Sequence, residues 1–316
     1  MKLAAGLLLL LFYSLICPPC CQAKELLPWP VANVRVLHDL SYGPDSIKGS
    51  HLLDLYLPSD FPRPLPLIVC IHGGGWIEGD KSMFPAFLLP SMGYAVASIN
   101  YRLTDQAKFP AQIDDCCAAL DWLISKHKLY GLDENRIGLW GGSAGAHLAS
   151  LAALDHEKGR AHSYEGKIKA VCDWCGPADL TTISQEYSSE ATSEKRAMQG
   201  NITRLIGADP QAHPELARAA SPVTYLRTNA PPFLIMHGDK DKVVPLSQSK
   251  TFSEKLIAKG IKCKFVVVTG GKHDFYSYRR EQQVGEFFDR TVKACNTPAN
   301  RKISQEVSKL PASLTK

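Results

Sequence analysis

Residues 141–145 read Gly-Gly-Ser-Ala-Gly and place Ser143 between small residues. The apolar residues 136–140 before this serine predict a strand, and the alanine- and leucine-rich residues 144–154 predict a helix. Glycines permit a very sharp turn between the two, and such a turn lifts the serine hydroxyl clear of the sheet edge. The first turn of the helix would direct backbone N–H groups towards an anion formed nearby. Ser143 is therefore a candidate nucleophile.

A serine nucleophile needs a general base, and the base needs an orienting carboxylate. The segment after one predicted strand contains Asp239 and Asp241, and the segment after the next contains His273. Because parallel strands end at the same edge of a sheet, we expect Asp241 and His273 to meet Ser143 there. Asp241 is preferred because Asp239 directly follows a His-Gly turn, where we expect it to bind backbone amides. Other histidines, such as His51, are expected to be solvated.

Three consecutive glycines, residues 73–75, follow a further predicted strand and precede Trp76. Bare backbone allows amides to approach a reacting carbonyl oxygen, so Gly74, Gly75 and Ala144 are candidate oxyanion donors, each typically worth about 10²–10³ in rate. A flexible loop is one alternative; a phosphate cradle is disfavoured because the P-loop and dinucleotide-binding spacings are absent. Trp76 is assigned to the substrate pocket, with simple loop packing as the alternative.

Short apolar runs alternate with helical patterns along most of the chain. This alternation predicts an α/β fold, with a mostly parallel sheet and helices on both faces. Predicted strands cover residues 52–58, 66–74, 94–103, 136–140, 168–174, 231–238 and 262–270. Predicted helices cover residues 110–128, 144–154, 246–260 and 278–295. Residues 180–220 are polar and weakly helical, and they predict a small cap or lid segment.

The first 23 residues have the features of a signal peptide: Lys2, then an apolar stretch from Ala4 to Ile16, then small residues before the cleavage site. They predict a secreted or periplasmic protein without stable membrane insertion, because the apolar stretch is too short to span a bilayer comfortably. We expect one domain over residues 24–295 and a disordered tail over 296–316. The net charge of +5 has no dense basic run, which argues against nucleic-acid binding.

Ten cysteines are present, and seven follow the predicted signal peptide. An oxidising compartment permits disulfides, and the odd number leaves at least one thiol, for which buried Cys70 is the best candidate. Cys172 and Cys175 form a C-x-x-C sequence, which is interpreted as strand-end cysteines, one or both of them in structural disulfides. A redox pair or metal half-site is the alternative. We expect neither a metal nor a cofactor. Asn201 begins an Asn-Ile-Thr glycosylation sequence.

Five ordered motifs, HGGGW, NYRL, GGSAGAHLA, HGDKDKVVP and GGKHDF, together resemble the α/β-hydrolase superfamily. The chain is most similar to the branch of secreted esterases related to hormone-sensitive lipase and to acetylxylan and feruloyl esterases, over about residues 35–292. The residues after NYRL, Thr104-Asp105-Gln106, lack the acidic, proline-containing segment often found in the lipase branch. This departure favours an esterase over a true lipase.

The resemblance implies an eight-stranded sheet and hydrolysis of carboxylic esters through an acyl-enzyme. By position it assigns Ser143 as nucleophile, His273 as base and Asp241 as orienting acid, with oxyanion donors at the glycine loop and Ala144. The expected substrates are small or short-chain esters, including carbohydrate-linked acetyl or feruloyl esters. An amide or formamide hydrolase with the same triad is the alternative. A silent binding protein and a thiol-redox protein are further rivals, and the oligomeric state is not indicated.

Overall fold

The computed structural model describes residues 33–44, 49–83, 88–154, 164, 166–187 and 192–293. The chain divides into two units, residues 1–33 and residues 34–316, and the fold below is that of the second. The predicted signal peptide and the predicted tail, 296–316, lie outside the described residues. Both remain sequence-based predictions.

Within the described residues the strands form one eight-stranded sheet in the order β1-β2-β4-β3-β5-β6-β7-β8. The strands are β1 (Val34–Ser41), β2 (Leu52–Pro58), β3 (Leu65–Ile71), β4 (Ala95–Ile99), β5 (Leu132–Gly142), β6 (Ile168–Trp174), β7 (Phe233–Gly238) and β8 (Cys263–Val268). The six neighbouring strands β4, β3, β5, β6, β7 and β8 pair in parallel. Strand β2 pairs antiparallel with both of its neighbours, β1 and β4. The predicted fold class is confirmed.

Strand β1 is the element that the sequence pattern did not predict. Its side chains alternate poorly between buried and exposed positions, and its pairing register with β2 shifts between Leu37 and Leu40. Asp39, within that shift, has a φ of 56°, which is rare for a residue with a side chain. An irregular edge strand of this kind lacks the regular alternation by which a strand is recognised.

Seven α-helices connect the described strands or follow them. They are α1 (Ala111–Ser125), α2 (His127–Tyr130), α3 (Ala144–Leu154), α4 (Thr192–Ile206), α5 (Pro214–Ala219), α6 (Leu246–Ala258) and α7 (Tyr278–Thr291). The predicted helix at 110–128 is divided at Lys126 into α1 and α2. A search of the described residues finds no helix that is both long and apolar enough to cross a bilayer.

The core lies on both faces of the sheet. In β3, Val69 and Ile71 contribute to one apolar cluster, which includes residues of α1, α3 and α6. Ile68 and Cys70 contribute to the cluster on the opposite face, where α7 packs. Because both faces are covered, the central strands are continuous apolar runs, as the sequence analysis predicted.

The segment 180–220 is more ordered than its polar composition suggests. It contains the 15-residue helix α4 and the shorter α5. Met198, Ile202 and Leu205 of α4 are buried in the same apolar cluster as α3, and the Leu205 carbonyl accepts a hydrogen bond from Phe109 N at 2.8 Å. The prediction of weak helicity is therefore wrong, because the helix is stabilised by tertiary packing of one apolar side rather than by its own propensity.

The six described cysteines are free thiols, so the disulfide expected at Cys172 or Cys175 is not formed. Cys172 lies within β6 and is fully buried in the apolar cluster beneath α7, which also contains Cys70 of β3. Strand β5 separates β3 from β6, so the two cysteines are two strand spacings apart, about 9–10 Å, which is too far for a disulfide. Cys70 is fully buried and free, as predicted. Burial raises the pKa of Cys172 and Cys175, which disfavours the thiolate needed for redox chemistry.

Candidate active site

Ser143 occupies the turn between the last residue of β5 and the first residue of α3. Its φ of 55° is left-handed, a strained conformation for a residue with a side chain. The Ser143 N–H donates to the Trp174 carbonyl at 2.7 Å, and the Ser143 carbonyl accepts from His147 N at 3.1 Å. The neighbouring strand β6 and the first turn of α3 therefore hold the serine in this conformation.

The glycines around Ser143 are required by close approach of backbone to backbone. A Cβ on Gly141 would lie 2.2 Å from the carbonyl carbon of Gly145. A Cβ on Gly145 would lie 2.0 Å from the carbonyl oxygen of Ile71, at the end of β3. Neither position tolerates a side chain, which explains the sequence pattern in physical terms.

His273 and Asp241 lie at the same edge of the sheet as Ser143, in the loops that follow β8 and β7. The His273 Nε2 atom is 2.9 Å from Ser143 Oγ, and Nδ1 is 2.7 Å from Asp241 Oδ2. The Asp241 side chain is fully buried, whereas 25% of the His273 side chain is exposed. The structure thus brings the three predicted residues into one hydrogen-bonded chain, the arrangement in which an imidazole can accept a serine proton.

The carboxylate of Asp241 is held from three directions. Its Oδ1 accepts from the backbone N–H groups of Val243 and Val244 at 2.8 and 3.0 Å, and His237 Nε2 lies 3.1 Å from Oδ2. Burial alone would raise the pKa of Asp241, but the hydrogen bonds with His237 and His273 outweigh burial and lower it below its usual range. Asp241 is therefore ionised at neutral pH.

The imidazole of His273 is tuned towards its protonated form. Burial lowers the pKa of His273, but its contacts with Cys175 and Asp241 outweigh burial and raise the pKa well above the ordinary value. Cys175 stays a thiol because its own pKa is raised by burial, so the Asp241 carboxylate is the charge that acts at neutral pH. A carboxylate at this position stabilises the imidazolium that forms when His273 accepts a proton.

Asp239 has the structural role that the sequence analysis predicted. Its Oδ1 accepts a hydrogen bond from Gly270 N at 2.7 Å, while its own N–H donates to the Val268 carbonyl at 3.1 Å. These bonds join the loops after β7 and β8, which carry Asp241 and His273. Asp239 therefore fixes the loops on which the site depends.

The glycine loop, residues 73–76, lies directly against the serine turn. A Cβ on Gly73 would be 2.9 Å from the Gly142 oxygen and 3.4 Å from the Ser143 Cβ. Within the described residues, the amide N–H groups of Gly74, Gly75 and Ala144 donate no hydrogen bond. These amides are consequently available to a bound carbonyl oxygen, as an oxyanion hole requires.

Trp76 does not line a pocket, and its assignment there is wrong. The side chain is fully buried, and Nε1 donates to His147 Nδ1 at 3.2 Å. Burial lowers the pKa of His147 to about 4, so the ring is neutral, and its Nε2 donates to the Ala220 carbonyl at 2.6 Å. Trp76 therefore anchors the glycine loop to α3, the packing alternative considered above.

One cluster of metal-ligating atoms occurs among the described residues. Atoms of Cys175, Asp241 and His273 lie within 4.8 Å of one another. Asp241 and His273 are already hydrogen-bonded to each other, and the thiol of Cys175 faces the His273 carbonyl at 3.5 Å. The geometry is accounted for by the hydrogen-bonded chain that ends at Ser143.

Two residues that support the site were missed in the sequence analysis. His237 contacts Asp241 from the end of β7, and its Nδ1 is 2.7 Å from Ser249 Oγ in α6. His147 links Trp76 to the chain after α5. The sequence offers one signal for both residues, a histidine inside an apolar strand or helix. That signal does not reveal which residue the histidine contacts.

A mostly parallel eight-stranded sheet with helices on both faces, and a serine on the turn after β5, define the protein as an α/β-hydrolase. Residues 53–256 match the BD-FAE family model, and the chain belongs to this family. The matched range contains Ser143 and Asp241, while His273 lies beyond it. The expected superfamily and branch are confirmed.

Similar proteins include two esterases of Mycobacterium tuberculosis. The chain is 30% identical to Esterase LipC over 76% of its own length and 33% identical to Esterase LipQ over 69%. It spans 59% and 52% of these two relatives, so it corresponds to only part of each. A solved structure titled as a truncated carbohydrate esterase from gut microbiota has a TM-score of 0.72 and 29% identity, covering 83% of this chain and 98% of that one.

Proposed function

We propose that the protein is a serine hydrolase of carboxylic esters that acts through an acyl-enzyme. The observation that carries this proposal is the chain of hydrogen bonds from Asp241 through His273 to Ser143, at 2.7 and 2.9 Å. The serine end of this chain adjoins backbone amides that have no partner in the described structure. The esterase names of the similar proteins support the same chemistry.

The arrangement supports a two-stage mechanism. Ser143 Oγ attacks the ester carbonyl while His273 Nε2 accepts its proton, and the amides of Gly74, Gly75 and Ala144 bind the resulting oxyanion. The imidazolium then donates its proton to the departing alcohol. In the second stage His273 activates a water molecule, which releases the acid and restores Ser143.

The proposed substrates are small or short-chain esters, including esters of carbohydrates. Support for the carbohydrate class comes from the similar structure whose title names a carbohydrate esterase. The amide alternative is not favoured, because the similar proteins named above are esterases. A redox function for Cys172 and Cys175 is disfavoured by their burial and raised pKa.

Substitution of the nucleophile tests this proposal. Ser143→Ala is expected to abolish hydrolysis of p-nitrophenyl acetate and labelling by a fluorophosphonate, with a drop in kcat of about 10⁶. The thermal unfolding midpoint should stay close to that of the unsubstituted protein, since the change removes one hydroxyl. Cys172→Ser is the matched control and should retain activity. Full esterase activity in Ser143→Ala would refute the proposal.

We also propose that residues 1–23 direct the protein to a secreted or periplasmic location and are then removed. The proposal rests on the charge and apolar pattern of these residues. N-terminal sequencing of the exported protein should give a start after Ala23. Recovery of the intact N-terminus from the cytoplasm alone would contradict it.

A further inference from the structure

Asn201, in helix α4, lies against the glycine loop. A Cβ on Gly75 would be 2.4 Å from Asn201 Nδ2 and 3.3 Å from its Cγ. Because a carbon–carbon bond is about 1.5 Å long, Nδ2 lies within about 4 Å of the Gly75 Cα. The side-chain amide of Asn201 therefore adjoins one of the proposed oxyanion donors.

The position of Asn201 is set by the packing of an apolar side of α4 that borders it. Its neighbour Ile202 is fully buried, and so is Leu205 one turn further on. The Leu205 carbonyl also accepts a hydrogen bond from Phe109 N, which ties the end of α4 to the loop before α1. A helix fixed in this way presents Asn201 to the glycine loop reproducibly rather than as a mobile surface group.

The earlier part of α4 lies near the acid side of the site. Glu194 is two turns before Asn201, so the two residues share one side of the helix. The Tyr187 hydroxyl, which precedes α4 in the chain, donates a hydrogen bond to the Val243 carbonyl in the loop that carries Asp241. Asn201, later in the same segment, lies against Gly75 of the glycine loop.

The amide of Asn201 is half-buried and has no hydrogen-bond partner among the described residues. An amide offers two donor hydrogens and an acceptor oxygen. Those of Asn201 do not belong to the fully buried, unpartnered polar atoms of the described residues, so they remain accessible to solvent or to a ligand. A hydroxyl group also donates and accepts, so it matches this amide. A short acyl group has no polar atom beyond its carbonyl, so the matching hydroxyl belongs to the alcohol part of the substrate.

We propose that Asn201 binds a hydroxyl group of the sugar in a carbohydrate ester and so determines specificity on the alcohol side. This inference rests on the proposed esterase function and adds a residue to it. It also gives the Asn-Ile-Thr sequence a different meaning, because a glycan on Nδ2 would occupy the space against Gly75. The site then needs Asn201 unmodified.

Two acetate esters with rings of similar size provide the test. Methyl mono-O-acetyl-xylopyranoside retains free hydroxyls, whereas cyclohexyl acetate has none. Asn201→Ala is expected to lower kcat/KM for the sugar ester about five- to tenfold, as loss of one hydrogen bond predicts, and to change it less than twofold for cyclohexyl acetate.

Thr203→Ala is the matched control, because it destroys the glycosylation sequence and leaves the Asn201 amide in place. It should leave both kcat/KM values unchanged. Equal losses on both esters in Asn201→Ala would overturn the inference and indicate a purely structural role. Unchanged kcat/KM values on both esters would overturn it as well. An unsubstituted enzyme active only on cyclohexyl acetate would also overturn it. Activity retained in Ser143→Ala would instead refute the proposed function, and this inference with it.

Discussion

Two histidine–aspartate pairs with similar geometry have different consequences in this molecule. In the candidate active site, His273 Nδ1 is 2.7 Å from Asp241. In a second pair, His51 Nε2 is 3.0 Å from Asp115 in α1, and both of these residues are buried, whereas the His273 side chain is partly exposed. The expectation that His51 is solvated is wrong, since only 8% of the residue is exposed.

The pairs differ in what the remaining polar atoms contact. The Arg102 guanidinium binds Asp115 through Nη2 at 2.7 Å and Nε at 2.9 Å, and His51 Nδ1 is 3.3 Å from the Pro44 carbonyl. Every polar atom of that imidazole is directed at structural groups. The second nitrogen of His273 faces a serine hydroxyl instead. A histidine–aspartate pair therefore gains catalytic potential from the partner of its second nitrogen.

Substitution of the two histidines should separate these roles most strongly. His273→Gln is expected to lower kcat for p-nitrophenyl acetate by about 10⁶, because Ser143 loses its base, with little effect on the free energy of unfolding. His51→Gln should leave kcat within about threefold and lower the free energy of unfolding by about 1–3 kcal/mol, because buried hydrogen bonds are lost. Steady-state kinetics and urea denaturation measure the two effects. A large loss of kcat in His51→Gln would invalidate the comparison.

Substitution of the two aspartates gives the next largest effect. Asp241→Asn is expected to lower kcat by about 10⁴, because the amide no longer orients His273 or stabilises its charge. Asp115→Asn should instead cost about 3 kcal/mol of unfolding free energy, because Arg102 keeps its charge without a partner. Asp239→Asn is the control within the same loop and should retain most activity. An Asp239→Asn loss that exceeds the Asp241→Asn loss would reverse the assignment of the two acids.

The pH dependence sharpens the same contrast. Protonated His273 cannot accept the Ser143 proton, so kcat/KM should rise with pH, with a midpoint above 6.5 because the pKa of His273 is raised. Asp241→Asn should move that midpoint to lower pH, whereas Asp115→Asn should not. The ion pair of Asp241 and His273 should raise the free energy of unfolding at pH values between the ordinary pKa of an aspartate and the ordinary pKa of a histidine. This stabilisation should decline as pH falls through the lowered pKa of Asp241, and as pH rises through the raised pKa of His273.

The smallest effect is expected at His237, which contacts Asp241 but not Ser143. His237→Gln should lower kcat about tenfold or less, because Asp241 still accepts bonds from two backbone amides. The pKa of Asp241 should rise towards its ordinary value, detectable by NMR titration. Ser249→Ala, which removes the partner of His237 Nδ1 and leaves the contacts of Nε2 with Asp241 and the Val244 carbonyl, is the milder companion variant. A loss of kcat in His237→Gln as large as that in Asp241→Asn would contradict this prediction and show that the Asp241–His273 pair requires His237.

The site residues were predictable because each carries a local signal. Ser143 lies between glycines that the backbone approach requires, and Asp241 and His273 each follow an apolar strand. Trp76 was misassigned because an aromatic residue beside a glycine loop looks the same in sequence whether it lines a pocket or is buried. The cysteines were misjudged for a similar reason, since C-x-x-C spacing does not show that Cys172 lies within β6 while Cys175 follows it, with both thiols buried and unpaired.

Strands β2 to β8, the helices α1, α3, α6 and α7, the serine turn and the acid and base segments follow from the sequence alone, because short-range sterics and apolar periodicity specify them. The irregular edge strand β1 and the helix α4 do not. Only the tertiary structure decides that His51 binds Asp115, that His147 holds Trp76, and that Asn201 reaches Gly75. These contacts join residues 64, 71 and 126 positions apart. Their formation depends on how α1, α3 and α4 pack on the sheet, which no local pattern encodes.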